Sequence, residues 1–139
     1  MKETDELETP PWLVQELNRI FRFTWDAASS PKNCLFGANA DCLKVNWIDY
    51  ANGGVVYLNP PYSDPEPFLS QAVKYKPLGI TTIALLKGDP STKWWNRTVK
   101  NEATLIWLPK RIKFYLNGEP TEYAASFPSV LAIYLGIQL

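Results

Sequence analysis

The chain lacks histidine altogether and has only two cysteines and one methionine among its 139 residues. The absence of histidine excludes histidine-based acid–base catalysis, serine–histidine catalytic triads and histidine-ligated metals. Two thiols without histidine do not make a zinc site, so we predict no metal and expect Cys34 and Cys42 to be reduced and structural. An enzyme with this composition works by positioning its reactants and by using an activated cofactor.

The chain also lacks a charge excess and a long apolar run. Lys+Arg and Asp+Glu both total 14, so the overall charge does not indicate a nucleic-acid partner. Neither a signal peptide nor an apolar membrane span is visible, and we therefore predict a soluble, cytoplasmic protein with no membrane partner. The 46% hydrophobic and 14% aromatic content predicts one folded domain over residues 1–139, with residues 1–8 as a frayed tail.

Helical and strand-like patterns alternate along the rest of the chain. Thr9 can cap a helix that continues to Phe21, with Pro10 and Pro11 in its first turn. Residues 27–49 form a long irregular connection with at most one helical turn. The alternation predicts an α/β layered domain with a parallel sheet core. Further helices are expected at residues 66–76 and 92–103, and strands at 23–25, 55–58, 80–86, 104–108, 111–115 and 129–135.

Polar residues follow three of these strands where each strand ends. Asp26 closes the first strand, Asn59 follows the second, and Lys87-Gly88-Asp89 follows the third. Ligands of such sheets bind in the crevice beyond the carboxyl ends of the strands. The sequence therefore predicts that these residues lie at one ligand-binding edge.

The segment Asn59-Pro60-Pro61-Tyr62 carries the most chemistry. The Asn59 side-chain oxygen and the Pro60 carbonyl can both accept hydrogen bonds from an exocyclic amine, which turns the nitrogen lone pair towards a methyl donor. Proline fixes its own φ and restricts the residue before it, so both acceptors are held in one geometry. Tyr62 offers a flat face on which an extruded base can stack. An ordinary Pro-Pro turn after a strand is the competing interpretation.

Taken together, these segments resemble the S-adenosylmethionine-dependent amino-methylating DNA methyltransferases, in particular the short phage and prophage N6-adenine enzymes of the Dam type. The resemblance rests on residues 9–14, 23–29, 39–43, 59–62, 91–95 and 110–114. It implies a Rossmann-like class I methyltransferase fold, α/β, with a truncated and mostly parallel sheet flanked by helices. It also implies S-adenosylmethionine as cofactor, adenine-containing DNA with a flipped or single-stranded base as partner, and the cytoplasm of a bacterial host as location.

The same resemblance assigns roles to individual residues. The implied catalytic residues are Asn59, Pro60, Pro61 and Tyr62. The implied cofactor-binding residues are Thr9, Pro10, Asp26, Ala27, Asp41 and Cys42. The implied DNA-binding residues are Tyr62, Ser63, Lys93, Trp94, Arg111 and Lys113.

Other functions stay open at the level of the sequence. The same tetrapeptide serves amine or amide methylation in RNA and protein, so the acceptor is a hypothesis. Residues 26–33 contain no glycine, although larger relatives use a glycine-rich turn there. A degenerate fold that acts as a DNA-binding or accessory subunit is therefore an alternative. The oligomeric state is unknown, with a dimer as one option.

Overall fold

Four helices and seven strands make up the described part of the chain, residues 3–137 of the computed structural model. No helix in that part is both long and apolar enough to cross a lipid bilayer. The elements, in chain order, are α1 (Pro11–Phe21), β1 (Phe23–Asp26), α2 (Trp47–Ala51), β2 (Val55–Leu58), α3 (Glu66–Tyr75), β3 (Thr81–Lys87), α4 (Lys93–Thr98), β4 (Thr104–Trp107), β5 (Tyr115–Leu116), β6 (Glu119–Pro120) and β7 (Ser129–Tyr134).

Five strands form one mixed sheet in the order β1-β2-β3-β7-β4. β1, β2 and β3 are parallel, and β7 is antiparallel to both of its neighbours. β4 therefore runs in the same direction as β1–β3, and only β7 is reversed. The predicted α/β class and parallel core are confirmed for β1–β3, whereas the sheet as a whole is mixed.

Helices pack on both faces of this sheet because its strands present apolar side chains on both sides. In β2, Val56 and Leu58 face one buried cluster while Tyr57 faces the other. The first cluster is covered by α2, α3 and α4, and the second by α1 through Leu13 and Leu17. Since side chains alternate along a strand, residue 59 continues the face on which Tyr57 lies.

The segment predicted as a strand at residues 111–115 is not part of the sheet. Ile112 and Phe114 are buried while Arg111 and Lys113 are exposed, which is the alternation that suggested a strand. The Ile112 carbonyl instead accepts a bond from the main-chain N–H of residue 125, at 2.8 Å, within the connection to β7. Tyr115 instead belongs to the β5–β6 hairpin, which closes around a turn of Asn117 and Gly118 that both have positive φ.

Two helices also differ from the sequence-based expectation. α2 lies at the end of the predicted irregular connection, where the Asn46 side chain accepts the Ile48 N–H and caps it. α4 ends at Thr98, earlier than the predicted residue 103.

Residues 3–8, predicted to fray, are folded onto the domain. Residues Glu3–Glu6 form a 3₁₀ turn, and Glu8 exchanges two main-chain hydrogen bonds with Tyr115, at 2.7 and 2.9 Å. The prediction of a frayed tail is therefore wrong for residues 3–8, because Glu8 pairs with Tyr115 of the β5–β6 hairpin. Residues 1 and 2 lie outside the described part.

Candidate active site

The carboxyl ends of β1 and β2 open onto a cleft of about 730 Å³. Asp26 is the last residue of β1, Asn59 directly follows β2, and both line the cleft. Its volume falls in the range of small-molecule sites, roughly 300–1,000 Å³. The expected meeting of strand ends at one ligand-sized edge is thus found for Asp26 and Asn59, but not for the third strand end, residues 87–89. Asp89, beyond β3, lies outside the lining and binds Ser91 instead.

Nearly all the predicted cofactor residues line this cleft. Pro10 is the exception, because it is buried. Thr9 before it lines the cleft, and Pro11 after it lines a smaller adjoining pocket. Several of the others belong to the connection after β1. Ala27, the first residue of that connection, is held in place because its N–H donates to the Tyr57 carbonyl at 2.9 Å. The predicted residues that line the cleft are Thr9, Asp26, Ala27, Asp41 and Cys42.

The Asn59 side chain has a defined orientation at the edge of the cleft. Its Nδ2 donates a hydrogen bond of 3.2 Å to the main-chain carbonyl of Leu7. Since a carbonyl can only accept, the nitrogen of the amide must face Leu7 and the oxygen must face away from it. Among the described residues, no donor is bound to Asn59 Oδ1. The amide oxygen can therefore accept a hydrogen bond from a ligand.

Tyr62 is half-buried and fixed by its neighbours. Its hydroxyl donates to the Leu85 carbonyl at 3.1 Å, and its ring meets Phe114 and Phe127 edge-on, both at 81°. Burial raises the pKa of the Tyr62 hydroxyl well above its usual value, so the phenol is neutral. The ring does not line the cleft, whereas Pro61 does. Stacking of a base on Tyr62 stays a prediction.

Asp26 is a buried carboxylate at the base of the cleft. Its side chain accepts the Leu35 N–H at 3.0 Å, and the residue is only 5% exposed. Burial raises the pKa of Asp26 from 3.8 to about 6, although the bond from Leu35 acts in the opposite direction. Burial therefore makes the ionised form of the Asp26 carboxyl costly in free energy, and a cationic ligand beside it would offset that cost.

The lining of the cleft is acidic overall. Lys32, which is exposed, is the one basic side chain among the described residues that line it. Such a lining favours a ligand that carries more positive than negative charge. The acidic residues of the lining are Asp5, Glu6, Glu8, Asp26 and Asp41.

Comparison with known proteins identifies the family. The sequence model of the family described as DNA N-6-adenine-methyltransferase (Dam) matches residues 1–135. The chain belongs to this family. It is similar to the DNA N-6-adenine-methyltransferase of Escherichia phage T1, with 31% identity over 127 residues that cover 88% of this chain and 51% of the phage protein. It is also similar to the enzyme of that name from Haemophilus phage HP1, with 29% identity over 130 residues, 86% of this chain and 73% of the relative.

The chain therefore spans about half the length of its phage T1 relative, because the match covers 51% of that protein. The match to the family nevertheless runs over almost all of the chain, residues 1–135. It therefore includes both Asp26 and Asn59. The predicted resemblance to phage Dam-type enzymes is confirmed.

Tyr57 is a cleft residue of this Dam-family chain that sequence reasoning missed. Tyr57 is 2% exposed and its ring packs against Phe23 and Phe36, while its hydroxyl is hydrogen-bonded to Thr9 Oγ1. Tyr57 lies two residues before Asn59, and this spacing on one face of the strand is a signal that could have found it. Asp5 and Leu7 were missed as well, and nothing in their polar, acidic surroundings distinguishes them.

The predicted DNA-binding residues lie outside the cleft. Lys93 and Lys113 are exposed, and the exposed Arg111 guanidinium donates to the carbonyl of residue 126. Trp94 is half-buried against the ring of Trp95. Ser63, directly after the tetrapeptide, is bound by the Asp5 carboxylate. Contact of these residues with DNA stays a prediction.

Cys42 has the environment of a structural thiol, although it lines the cleft. It is 2% exposed, and burial raises its pKa to about 12. A thiol with that pKa is protonated at neutral pH and is therefore a poor nucleophile.

Proposed function

We propose that this member of the Dam family transfers a methyl group from S-adenosylmethionine to the N6 amine of adenine in DNA. The observation that carries the proposal is the orientation of Asn59, whose amide nitrogen is bound to Leu7 while its oxygen has no bonded donor among the described residues. The names of the phage T1 and HP1 relatives support the reaction and the acceptor.

The residues of the cleft fit the cofactor. S-adenosylmethionine carries a sulfonium and an ammonium group, which suit an acidic lining, and one carboxylate, for which Lys32 is available. When bound, it supplies an activated methyl group. Asp26 would hold one of its cationic groups, since ligand charge favours the ionised form of a buried carboxylate. The residues that would hold the cofactor are Thr9, Asp26, Ala27, Asp41 and Cys42.

The tetrapeptide orients the target amine. Asn59 Oδ1 and the Pro60 carbonyl each accept one of its two N–H bonds, so that its lone pair points away from the base plane. Alignment of this kind contributes up to ~7–11 kcal/mol to lowering a barrier. No base has to act beforehand, since a weakly basic arylamine loses its proton as the methyl group arrives or afterwards. Tyr62 would support the flipped base by stacking.

The finer fold and setting are part of the same proposal. We infer a Rossmann-like class I methyltransferase fold, and the parallel strands β1–β3 with helices on both faces, together with a cleft at their carboxyl ends, support it. The phage origin of the relatives supports action in the cytoplasm of a bacterial host. The side chains proposed to contact DNA are Tyr62, Ser63, Lys93, Trp94, Arg111 and Lys113.

A second candidate is a non-catalytic DNA-binding subunit. Ala27, Ala28 and Ser29 line the cleft where the resemblance implies a glycine-rich turn, and their Cβ atoms occupy space that glycines would leave to a cofactor. Calorimetric titration with S-adenosylmethionine decides between the candidates. Saturable binding supports the enzyme, and DNA binding without any cofactor binding supports the subunit.

Incorporation of labelled methyl groups tests the reaction and the acceptor. The native chain is incubated with methyl-labelled S-adenosylmethionine and DNA, RNA or protein, and digested nucleosides are separated. Label is expected in N6-methyladenine from DNA. A matched duplex with N6-methyladenine in place of every adenine should take up none. Absence of incorporation into single- and double-stranded DNA of varied sequence would refute the proposed function.

A further inference from the structure

The short segment of residues 5–8 holds the catalytic tetrapeptide, residues 59–62, at both of its ends. The Leu7 carbonyl accepts the bond from Asn59 Nδ2 at 3.2 Å. The Asp5 carboxylate accepts two bonds from Ser63, one from its N–H at 2.8 Å and one from its hydroxyl at 2.6 Å. The first residue of the tetrapeptide and the residue after it are therefore bound to a single stretch of chain.

This segment is itself anchored on its other side. Glu8 makes its two main-chain bonds with Tyr115, and its carboxylate accepts the Gly118 N–H at 2.9 Å. Thr9, the next residue, is buried and bonded to the Tyr57 hydroxyl. Residues 5–8 therefore connect the β5–β6 hairpin and β2 to the tetrapeptide through defined hydrogen bonds.

The orientation of the Asn59 amide matters because its two ends have opposite hydrogen-bonding character. A half-turn of the amide would exchange oxygen and nitrogen and place two carbonyl oxygens against each other at Leu7. It would also present a donor, in place of an acceptor, to an incoming amine. The Leu7 carbonyl thus selects the orientation in which Oδ1 is available.

We propose that Asp5 is a positioning residue for methyl transfer: its carboxylate, bound to both donors of Ser63, keeps the Leu7 carbonyl in contact with Asn59 Nδ2. This inference rests on the proposed function and assigns a role to a segment that precedes the first predicted site residue. A carboxylate suits the role because charge-assisted bonds are shorter and stronger than neutral ones. Asp5 acts through Ser63 and Leu7 and does not touch the reacting atoms.

Kinetics of variants test this role. Asp5→Ala is expected to lower kcat by about 10- to 100-fold, since small displacements of aligned groups have effects of that size. The Kd for S-adenosylmethionine should rise by no more than about fivefold, since Asp5 contributes one charge to the acidic lining but is not among the residues proposed to hold the cofactor. At saturating DNA, where a lost DNA contact of Ser63 would no longer matter, the kcat of the double variant Asp5→Ala with Ser63→Ala should be no lower than that of Asp5→Ala, since both changes remove the same contact. Asp5→Asn, which keeps an acceptor oxygen, should recover part of the rate and guards against a folding defect.

The control removes an acidic side chain elsewhere. Glu16 is exposed on α1 and paired with Arg19 at 2.8 Å. Glu16→Ala should leave kcat unchanged. A similar fall in kcat with Glu16→Ala, or none with Asp5→Ala, would overturn the inference.

A nuclear magnetic resonance measurement tests the contact without relying on activity. The side-chain NH2 signals of Asn59 are assigned by their disappearance in Asn59→Ala, and their hydrogen exchange is measured. Exchange should be slower in the native chain than in Asp5→Ala. Equal exchange rates would overturn the inference even if kcat falls. If native protein methylates no DNA, the proposed function fails, whereas unequal exchange would still show that Asp5 positions Asn59.

Discussion

The two walls of the cleft are built differently. One wall, the sheet wall, consists of Asp26, Tyr57 and Asn59 at the ends of β1 and β2, where Asp26 pairs in register with Tyr57. The other wall, the loop wall, consists of residues 5–8 and the cleft-lining part of residues 28–41. Asp26 and Tyr57 are almost completely buried, whereas Asp41 of the loop wall is exposed. Groups that need an accurate position thus stand on strands, and loops supply adjustable contacts.

Two side chains of the sheet wall form hydrogen bonds with the loop wall. Leu7 binds Asn59, and the Leu35 N–H binds the Asp26 carboxylate. Each bond has its loop partner on the main chain and its sheet partner on a side chain. The sheet wall therefore depends on the loops for side-chain orientation, while its backbone is fixed by strand pairing. We expect substitutions to have effects that decrease from the sheet wall to the loop wall.

Substitution of Asn59 should give the largest effect. Asn59→Ala removes the proposed acceptor of the target amine, and kcat should fall by about 10²–10³-fold or more, as when one preorganised polar group at a reacting centre is lost. The Kd for S-adenosylmethionine should change little, since the cofactor site is intact. Single-turnover methyl transfer and calorimetry measure the two quantities. An equal loss of cofactor affinity would show that the sheet wall acts as one unit.

The two cleft acids, Asp26 and Asp41, give a matched comparison between the walls. Asp26→Asn should weaken cofactor binding by about 10- to 100-fold, because a bond to a charged group is worth roughly 1.5–3 kcal/mol. Asp41→Asn should have a smaller effect, since Asp41 is exposed and its charge is screened. Calorimetric titration of both variants checks the order. The comparison between the walls fails if Asp41→Asn has the larger effect.

The buried position of Asp26 also predicts the pH dependence of stability. Its pKa is 3.8 ordinarily and about 6 in the folded chain, so between these values the folded state binds more protons than the unfolded state. The contribution of Asp26 to the free energy of unfolding therefore decreases as pH rises from about 4 to 6. Asp26→Asn should be up to about 3 kcal/mol more stable than the native chain at pH 7, and little different at pH 4. Denaturant unfolding at both values measures this.

If Asp26 holds the cofactor as proposed, the same pKa should set the pH dependence of cofactor affinity. Below pH 6 Asp26 becomes protonated and loses the charge that attracts a cationic ligand. Cofactor affinity of the native chain should therefore decrease by up to about tenfold per pH unit below 6. Asp26→Asn should lack this dependence, and its persistence in the variant would assign the effect to another group.

The sheet wall was predictable from the sequence to a larger extent than the loop wall. The strand at Val55–Leu58 has the predicted bounds, and a polar residue after a buried strand indicates the ligand edge. The reversed direction of β7 was not predictable, since an apolar run carries no sign of strand direction. The contact of Leu7 with Asn59 was not predictable either, because a main-chain carbonyl is common to every residue. Sequence patterns therefore indicate which side chains reach an edge, but not which main-chain atoms orient them.

Tyr57 allows stability to be separated from affinity within the sheet wall. Tyr57→Phe removes the hydroxyl bound to Thr9 and leaves a buried hydroxyl without its partner, which should cost about 1–3 kcal/mol of stability. Tyr134→Phe is the matched control: its buried hydroxyl donates to the Thr98 carbonyl at 2.9 Å, outside the cleft. Both should lower the free energy of unfolding, but only Tyr57→Phe should weaken cofactor binding, by about three- to tenfold. If Tyr57→Phe binds the cofactor as tightly as the native chain does, the role of Tyr57 is purely structural.

Lys32 should give the smallest effect, because it is an exposed charge on the loop wall. If it attracts the cofactor carboxylate, Lys32→Ala should raise the Kd for S-adenosylmethionine by about two- to fivefold, as exposed ion pairs contribute about 0.2–1 kcal/mol. Lys100→Ala, a change at an exposed position outside the cleft, should leave the Kd unchanged.

A truncated ligand and added salt test whether the effect of Lys32→Ala on the Kd comes from pairing with the cofactor carboxylate. 5′-Methylthioadenosine lacks the amino-acid part of the cofactor, so Lys32→Ala should bind it as well as the native chain does. With S-adenosylmethionine, the difference between the chains should shrink at 1 M salt, where screening acts over about 3 Å. A loss of similar size for both ligands would show that Lys32 shapes the cleft instead of pairing with a carboxylate. A loss larger than that of Asp26→Asn would reverse the order of the two walls, and the loops would then carry the main affinity for the cofactor.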